Sequence, residues 1–160
     1  MAEDRQISPR ELGVYFALME SATLLRYQVE QQLKVDAGLG YVQFEMLATL
    51  VDAGGEMTMT ALADQLVHSR SGLTHQAGLL EKSGLIARSP HPRDQRSTLV
   101  QITEAGRDAV ATVMPGHIAI ARELFLDELS PEELEALDAV LPRVREHMRA
   151  STEARSKRSR

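Results

Sequence analysis

The stretch SRSGLTHQAGLLEKSGLIARSPHPRDQRSTLVQIT, residues 69–103, decides the fold because it joins a capped helix to a charged β-hairpin. Ser69 is a typical N-cap and Gly84 is typical of the position just after a helix, which predicts a helix between them. The prolines of the run PHP remove backbone donors and disfavour helix, so an exposed turn is expected there. Alternating apolar and polar residues over 98–102 then predict the return strand of a hairpin.

Helices are predicted on both sides of this stretch. The run SPRE, residues 8–11, offers an N-cap, a proline at the first helical position and a capping glutamate, and GLG at 38–40 should end the helix that starts there. A second helix should run as far as the glycines at 54–55, and TALADQL predicts a short third helix. Thr103 should cap a long fifth helix, and the run SPEE, residues 130–133, repeats the capping box for a sixth.

Positive charge is concentrated around the hairpin. The 160-residue chain has a net charge of -5, with 43% hydrophobic and 26% charged residues, as expected of a globular domain with extensions. Residues 68–107 carry 6 basic and 3 acidic residues, whereas residues 1–67 carry 4 and 10 and residues 108–150 carry 4 and 9. The last ten residues, STEARSKRSR, are expected to form a disordered basic tail. A basic island in an acidic chain suits a protein that presents one face to a polyanion.

Several other classes of protein are disfavoured by the sequence. No apolar run approaches the roughly 18 residues of a membrane span, and the charged start of the chain lacks a signal-peptide pattern, so a cytoplasmic protein is expected. With no cysteine, disulfides, thiolate metal cages and thiol switches are excluded. The motifs GxSxG, GxxxxGK[ST], HExxH and GxGxxG are missing, so neither enzymatic activity nor a cofactor is predicted.

The order of three helices and a hairpin within residues 41–103 is that of a winged helix-turn-helix. The expected fold is mainly α with a small β-hairpin, flanked by long N-terminal and C-terminal dimerisation helices. The turn Val67-His68-Ser69 would place the second helix of the motif across the major groove of DNA, which is about 12 Å wide. The predicted base and phosphate contacts on this recognition helix are Ser69, Arg70, Ser71, Thr74 and His75. A solvated helix face in an all-α domain is the alternative, and the basic hairpin favours DNA.

These segments together resemble the MarR family of bacterial transcription regulators. The residues matching the family's recognition-helix pattern are Thr74, Leu80, Glu81, Gly84, Leu85, Ile86 and Arg88. Asp94 and Arg96 match its Asp-x-Arg wing, and residues 102–106 match its strand end. His75 stands where the family commonly has arginine, which makes the charge there depend on pH. The resemblance covers about residues 8–150 and implies a homodimer, an operator with two related half-sites, and often a small-molecule or redox signal.

The wing is expected to carry the cations that approach the minor groove. Arg96 is the predicted minor-groove contact, because arginine is weakly hydrated and is attracted by the negative potential of narrow A·T-rich grooves. Asp94 is expected to orient Arg96 or Arg93 by a charge-assisted hydrogen bond. Arg88 completes the predicted DNA-binding set. The alternative is a solvated charge cluster that contributes little.

The long terminal helices predict self-association. They carry apolar residues that a monomer would expose, and these should meet a second chain: Leu124, Phe125, Leu129, Leu134, Leu137, Val140, Leu141 and Val144. In similar family members a ligand lies between the dimerisation helices and the winged helix, which implies Tyr15, Met19, Met46 and His117 as candidate ligand contacts. A small aromatic or lipophilic compound would suit such a pocket. For His117, burial as a neutral imidazole bonded to a carbonyl is the alternative.

The sequence therefore predicts a cytoplasmic, sequence-specific regulator that binds double-stranded DNA. We expect a homodimeric repressor that a small ligand releases from a near-palindromic operator. Three alternatives stay open: a metal-responsive or ligand-independent regulator of the same fold, an enzyme of unrecognised type, and a protein-interaction module. The five histidines, however, show no metal-ligand spacing. The predicted segments are 8–40 (N-terminal dimerisation helix), 41–103 (winged helix-turn-helix), 104–150 (C-terminal dimerisation helices) and 151–160 (basic tail).

Overall fold

The computed structural model describes residues 6–66 and 68–158, without the side chains of residues 95 and 153–158. Val67, which the sequence places in the turn of the motif, lies outside this range. The elements are α1 (Pro9–Ala37), α2 (Tyr41–Asp52), β1 (Glu56–Thr58), α3 (Met59–Gln65), α4 (Arg70–Lys82), β2 (Ile86–His91), β3 (Asp94–Ile102), α5 (Glu104–Leu124), a 3₁₀ turn (Leu126–Glu128) and α6 (Pro131–Arg158). The chain divides into two compact units, one ending at Ile120 and the other beginning at Ala121.

The predicted helix caps are present. The Ser8 hydroxyl accepts the Glu11 backbone N–H at 3.2 Å, and the Glu11 carboxylate accepts the Ser8 N–H at 2.8 Å, which completes the capping box of α1. The start of α6 repeats this exchange. At the start of α5, Thr103 Oγ1 accepts the Gly106 N–H at 3.1 Å. These bonds satisfy N–H groups that a helix N-terminus leaves unpaired.

The sheet has three antiparallel strands in the order β1-β3-β2, one strand more than the predicted hairpin. The extra strand, β1, is only three residues long, too short for a period-2 pattern to reveal it. Glu56 of β1 pairs with Gln101 of β3, and the Gln101 side chain donates to the Glu56 carboxylate at 2.8 Å. Because β2 is an edge strand, Pro90 occupies it without breaking a central hydrogen-bond ladder.

One hydrophobic core holds the helices of the first unit against the sheet. The core residues come from α1, α2, α3, α4, β2, β3 and α5, and include Leu33, Leu47, Leu50, Leu62, Leu73, Leu80, Val100 and Val113. On α1 only the C-terminal part contributes buried residues, Val29 and Leu33. Leu12, Phe16 and Met19 are exposed instead, so the N-terminal half of α1 presents an apolar surface.

The sheet and α5 are joined through the loop that ends the recognition helix. The Thr103 N–H donates to the Leu85 carbonyl at 3.1 Å, and the Thr103 hydroxyl donates to the Gly84 carbonyl at 2.7 Å. A Cβ on Gly106 would overlap the same Leu85 carbonyl oxygen. The start of α5 therefore packs directly on the backbone that links α4 to the wing.

Two expectations about the C-terminal part of the chain need correction. The helical segment 104–128 has the length and apolar composition to cross a membrane, whereas no apolar run of that length was expected; Val110 and Val113 within it are buried in the core. Residues 151–158 continue α6 as helix, where a disordered tail was expected. Basic residues near a helix C-terminus interact favourably with its dipole, so a basic composition is compatible with helix there.

Candidate nucleic-acid interface

The N-terminal turn of α4 is exposed and rigidly capped. Ser69 Oγ accepts the Gly72 N–H at 3.2 Å, and the Ser69 carbonyl accepts the Leu73 N–H at 3.0 Å. Leu73 is completely buried and anchors the turn from the inner side. The positive end of the helix dipole and the side chains of Ser69, Arg70 and Ser71 therefore share one exposed surface, which is suited to an anion such as DNA phosphate.

The predicted contacts farther along α4 lie on the same exposed side. Thr74 and His75 are exposed, while Ala77 and Leu80 are buried in the core. The Thr74 hydroxyl donates to the Arg70 carbonyl at 2.8 Å, so it presents its lone pairs and methyl group outward rather than its proton. This geometry suits acceptance from a base amino group or contact with a thymine methyl group.

Arg70 has an exposed ionic partner on the preceding helix. Its guanidinium lies 3.7 Å from the Asp64 carboxylate, and about two thirds of each side chain is exposed, at 65% and 64%. Exposed pairs of this kind contribute little and are weakened by salt. A DNA phosphate could therefore displace Asp64 from Arg70 at little cost in free energy.

The tip of the wing is a two-residue turn stabilised by its own side chains. His91 pairs with Asp94 across the turn, and His91 Nδ1 accepts the Arg93 N–H at 3.3 Å. Asp94 Oδ1 accepts the backbone N–H of Arg96 at 3.1 Å. Among the ion pairs of the described side chains, none joins Asp94 to the guanidinium of Arg93 or Arg96. Asp94 thus orders the Arg96 backbone, in place of the expected bond to an arginine side chain.

Arg93 and Arg96, at and beside the tip of the wing, are exposed, whereas Arg88 is partly buried. Arg88 lies on β2 with its side chain only 27% exposed, and its guanidinium is engaged with Glu81 at 2.6 Å. The carboxylate of Glu81 also accepts the Arg88 backbone N–H at 3.1 Å. Arg88 therefore joins the wing to α4, whereas Arg93 and Arg96 are presented to solvent at the tip.

Sequence reasoning did not predict the polar contacts that Glu81 and Glu45 make in this region. Glu81 was matched to a family pattern, but its pairing with Arg88 depends on the turn between α4 and β2. Glu45 of α2 contacts His68 in the turn before α4, at 2.9 Å between Oε2 and Nε2. No spacing rule reveals that pair, because Glu45 lies on α2 and His68 lies 23 residues later, in the turn before α4.

The four candidate ligand contacts have very different surroundings. Tyr15 and Met19 are about half exposed on α1, whereas Met46 is completely buried in the core. His117 of α5 is partly buried, with its ring 4.9 Å from that of Phe44. Burial lowers the pKa of the His117 imidazole, which favours its neutral form. A ligand that reached both Met46 and His117 would have to enter the core.

Two buried polar atoms near this part of the core have no hydrogen-bond partner among the described residues: Gln32 Oε1 and His117 Nδ1. The expected carbonyl partner is therefore not found at His117 Nδ1. The Gln32 amide nitrogen donates to the Val113 carbonyl at 3.0 Å, which ties α1 to α5. Within the described residues, no group of three or more His, Cys, Asp or Glu could hold a metal ion.

Comparisons with known proteins point to one family. The sequence model of the MarR family matches residues 37–97. The chain is 32% identical over 130 residues to the uncharacterised HTH-type transcriptional regulator YfiV of Bacillus subtilis (strain 168), covering 80% of this chain and 77% of YfiV. Among solved structures, it is similar to Sco3205 of Streptomyces coelicolor, a MarR family transcriptional regulator in complex with DNA. That likeness has 31% identity, a TM-score of 0.86 and coverage of 92% of each chain. AbsC of the same organism, another MarR family transcriptional regulator, has 33% identity and a TM-score of 0.84, over 91% of this chain and 99% of AbsC.

Proposed function

This chain belongs to the MarR family of winged helix-turn-helix transcription regulators, and from that premise we propose that it is a homodimeric, ligand-released repressor. It is a DNA-binding regulator and not an enzyme. The finer assignments concern which residues read DNA, how the chain assembles and what releases it. As a regulator of this kind, it would act in the cytoplasm.

One observation carries the DNA-binding assignment of residues. The exposed N-terminal half of α4 and the exposed wing arginines belong to the same compact unit, whose core fixes Leu73 and Val100 behind them. We assign Ser69, Arg70 and Ser71 to phosphates, Thr74 and His75 to bases in the major groove, and Arg93 and Arg96 to the minor groove. Asp94 and Arg88 would support this surface by ordering the wing.

Selection from random double-stranded oligonucleotides tests this function. A near-palindromic site with half-sites one helical turn apart, roughly 34 to 36 Å, is the expected product of a two-fold dimer. The logarithm of the binding constant for that site should fall linearly with the logarithm of the salt concentration, because phosphate contacts release counterions. Enrichment of no sequence over the input pool would contradict the proposal.

Exposed apolar surfaces support the homodimer. On α1, Leu12, Phe16, Leu18, Leu24 and Tyr27 are exposed, and on α6 the exposed apolar residues include Leu134, Val140, Leu141 and Met148. Surfaces of this kind rarely remain uncovered in a soluble protein, and a second copy of the chain would cover them. Light scattering at micromolar concentration should give twice the 17.7 kDa chain mass. A monomeric mass would contradict the assembly but leave the DNA surface untouched.

The unpartnered atoms in the core support a small-molecule effector. A phenolic or carboxylic hydroxyl could donate to Gln32 Oε1 or to an unprotonated His117 Nδ1, while the Phe44 ring provides an aromatic contact. Such a compound would release DNA only as far as it prefers a conformation that binds DNA poorly. Titration of phenolic acids against the protein–operator complex tests this, with His117→Ala as the comparison. Release by none of the compounds would favour a ligand-independent regulator.

Repression is tested separately from binding. A reporter with the selected site inside its promoter should be silenced by the protein and restored by an effective ligand. Increased transcription from that reporter would identify an activator of the same fold.

A further inference from the structure

The turn before the recognition helix is tethered to α2 by one polar pair. His68 Nε2 lies 2.9 Å from Glu45 Oε2, and the two side chains are 26% and 30% exposed. In the same turn, the His68 backbone N–H donates to the Leu66 carbonyl at 2.9 Å. The imidazole can donate from Nε2 whether it is neutral or protonated, so the bond does not require a charged histidine.

Polar contacts extend from this pair to the first helix. Tyr41 lies one helical turn before Glu45 on α2, and the Glu45 carboxylate acts on its phenol electrostatically. Burial raises the pKa of Tyr41, and Glu45 raises it further against the opposing effect of Arg26, so the phenol stays protonated. The Arg26 guanidinium of α1 lies 4.7 Å above the Tyr41 ring, within the range of a cation–π contact.

The position of His68 makes this tether relevant to recognition. His68 directly precedes Ser69, the N-cap of α4, so any displacement of His68 reaches the first turn of that helix within one residue. That turn presents Arg70 and Ser71, while Leu73 anchors only its inner side. Glu45 is therefore a polar contact from α2 that restrains the outer, exposed start of α4.

We propose that Glu45 and His68 are positioning residues for DNA recognition, which hold the N-terminal turn of α4 at the angle that specific binding requires. Tyr41 and Arg26 extend this support to α1. The inference rests on the proposed use of α4 as the recognition helix. It makes neither Glu45 nor His68 a direct DNA contact.

The direction of the change in DNA affinity distinguishes a positioning role of Glu45 from a purely electrostatic effect of its charge. Removing a carboxylate near a DNA-binding surface should strengthen DNA binding if only long-range electrostatics matter. If Glu45 positions the helix, Glu45→Ala should instead weaken binding to the selected operator by about tenfold, the effect of losing one charge-assisted hydrogen bond. Asp52→Ala, which removes the same charge from the exposed end of α2, is the matched control and should bind as tightly as the wild type or slightly more tightly.

A double-mutant cycle and conservative variants complete the test in the full-length protein. His68→Ala and the Glu45→Ala/His68→Ala double variant should each lose about the same tenfold, since the two side chains act as one unit. His68→Gln keeps an N–H donor near the position of Nε2 and should bind within about threefold of the wild type, whereas the shorter His68→Asn should resemble His68→Ala. The salt dependence of binding should be unchanged in Glu45→Ala, in the double variant and in every His68 variant, because none of these substitutions removes a phosphate contact.

Other results would overturn the inference. If His68→Ala reduces the salt slope by about one while Glu45→Ala binds as tightly as the wild type, His68 contacts phosphate itself. Additive losses would show that the two residues act independently.

Amide hydrogen exchange separates failure of the tether from failure of the proposed function. In the absence of DNA, Glu45→Ala should accelerate exchange at Gly72 and Leu73, whose N–H groups bond to Ser69, relative to Leu80 in the middle of α4. Unchanged exchange would contradict the tether. A wild-type protein that selects no DNA sequence would instead contradict the recognition role of α4, whatever the exchange shows.

Discussion

The Glu81 carboxylate receives three hydrogen bonds from Arg88: 3.1 Å from the backbone N–H, 3.0 Å from Nε and 2.6 Å from Nη2. Glu81 is in the last turns of α4 and Arg88 is in β2, so the pair links the recognition helix directly to the wing. The angle between α4 and the wing thus depends on a charged pair at the base of the hairpin as well as on the core.

This pair should make stability depend on pH. The Arg88 hydrogen bonds hold the pKa of Glu81 below its ordinary value of 4.5. A carboxyl group whose folded-state pKa is lowered contributes stability above its unfolded-state pKa and loses it as pH falls through the folded-state value. Glu81→Gln should therefore lower the melting temperature more at neutral pH than at a pH well below 4.5. Glu135→Gln, at an exposed site on α6, is the control. Equal effects of Glu81→Gln at both pH values would show that the charge of Glu81 contributes no stability.

The wing arginines should contribute to affinity and to flanking preference. We expect Arg96→Ala to weaken operator binding by about 1 to 3 kcal/mol and to reduce the preference for A·T pairs at the outer flanks. Arg143→Ala in the second unit removes the same charge and should leave that preference intact. Selection and titration with each variant measure both effects, and identical flanking preferences for Arg96→Ala and wild type would remove Arg96 from the minor groove.

Thr74 and His75 should affect which bases are preferred. Thr74→Val keeps the shape and a methyl group but removes the hydroxyl that bonds to the Arg70 carbonyl, so it separates methyl contact from hydrogen bonding. We expect Thr74→Ala and His75→Ala to change the selected bases in the major groove. A uniform loss across all sequences would mean that these residues contact phosphate instead.

Gly106 should tolerate no side chain. A Cβ at this position would overlap the Leu85 carbonyl oxygen, which belongs to the backbone and cannot rotate away. Gly106→Ala should destabilise the fold by about 1 to 3 kcal/mol, measured by denaturant unfolding. Gly13→Ala is the control, because a Cβ there meets nothing within 4 Å and alanine favours a helix interior by about 1 kcal/mol. Equal stability of Gly106→Ala and the wild type would show that the α5 start moves freely away from Leu85.

His117 should give the protein a second pH dependence, at higher pH than Glu81. Burial lowers the pKa of His117 from its ordinary 6.5, so the unfolded chain binds a proton more readily than the folded chain does as pH falls below 6.5. The resulting loss of stability should become visible as pH falls through and below 6.5 in wild type and be smaller in His117→Gln. Thermal unfolding of both proteins across that range measures it, with His147→Gln on exposed α6 as the control. Parallel curves for wild type and His117→Gln would exclude burial of a neutral imidazole.

Local signals determined the order and ends of most elements. N-cap hydroxyls such as Ser8, Ser69 and Thr103 satisfy unpaired N–H groups within three residues, so their chemistry can be read without knowing the fold. The basic island around the hairpin and the family pattern likewise depend on residues close in sequence. These signals sufficed for the winged helix-turn-helix and for the exposed face of α4.

Only the tertiary structure decided which side chains meet across elements. Strand β1 gains its hydrogen bonds from β3, some 45 residues away, and a three-residue segment carries no periodicity of its own. The Glu45–His68 and Glu81–Arg88 pairs, the complete burial of Met46 and the bond from Asp94 to the Arg96 backbone depend on packing angles and on where turns return the chain. Sequence fixes local conformational preference, whereas the pairing of distant groups follows from how the core brings the elements together.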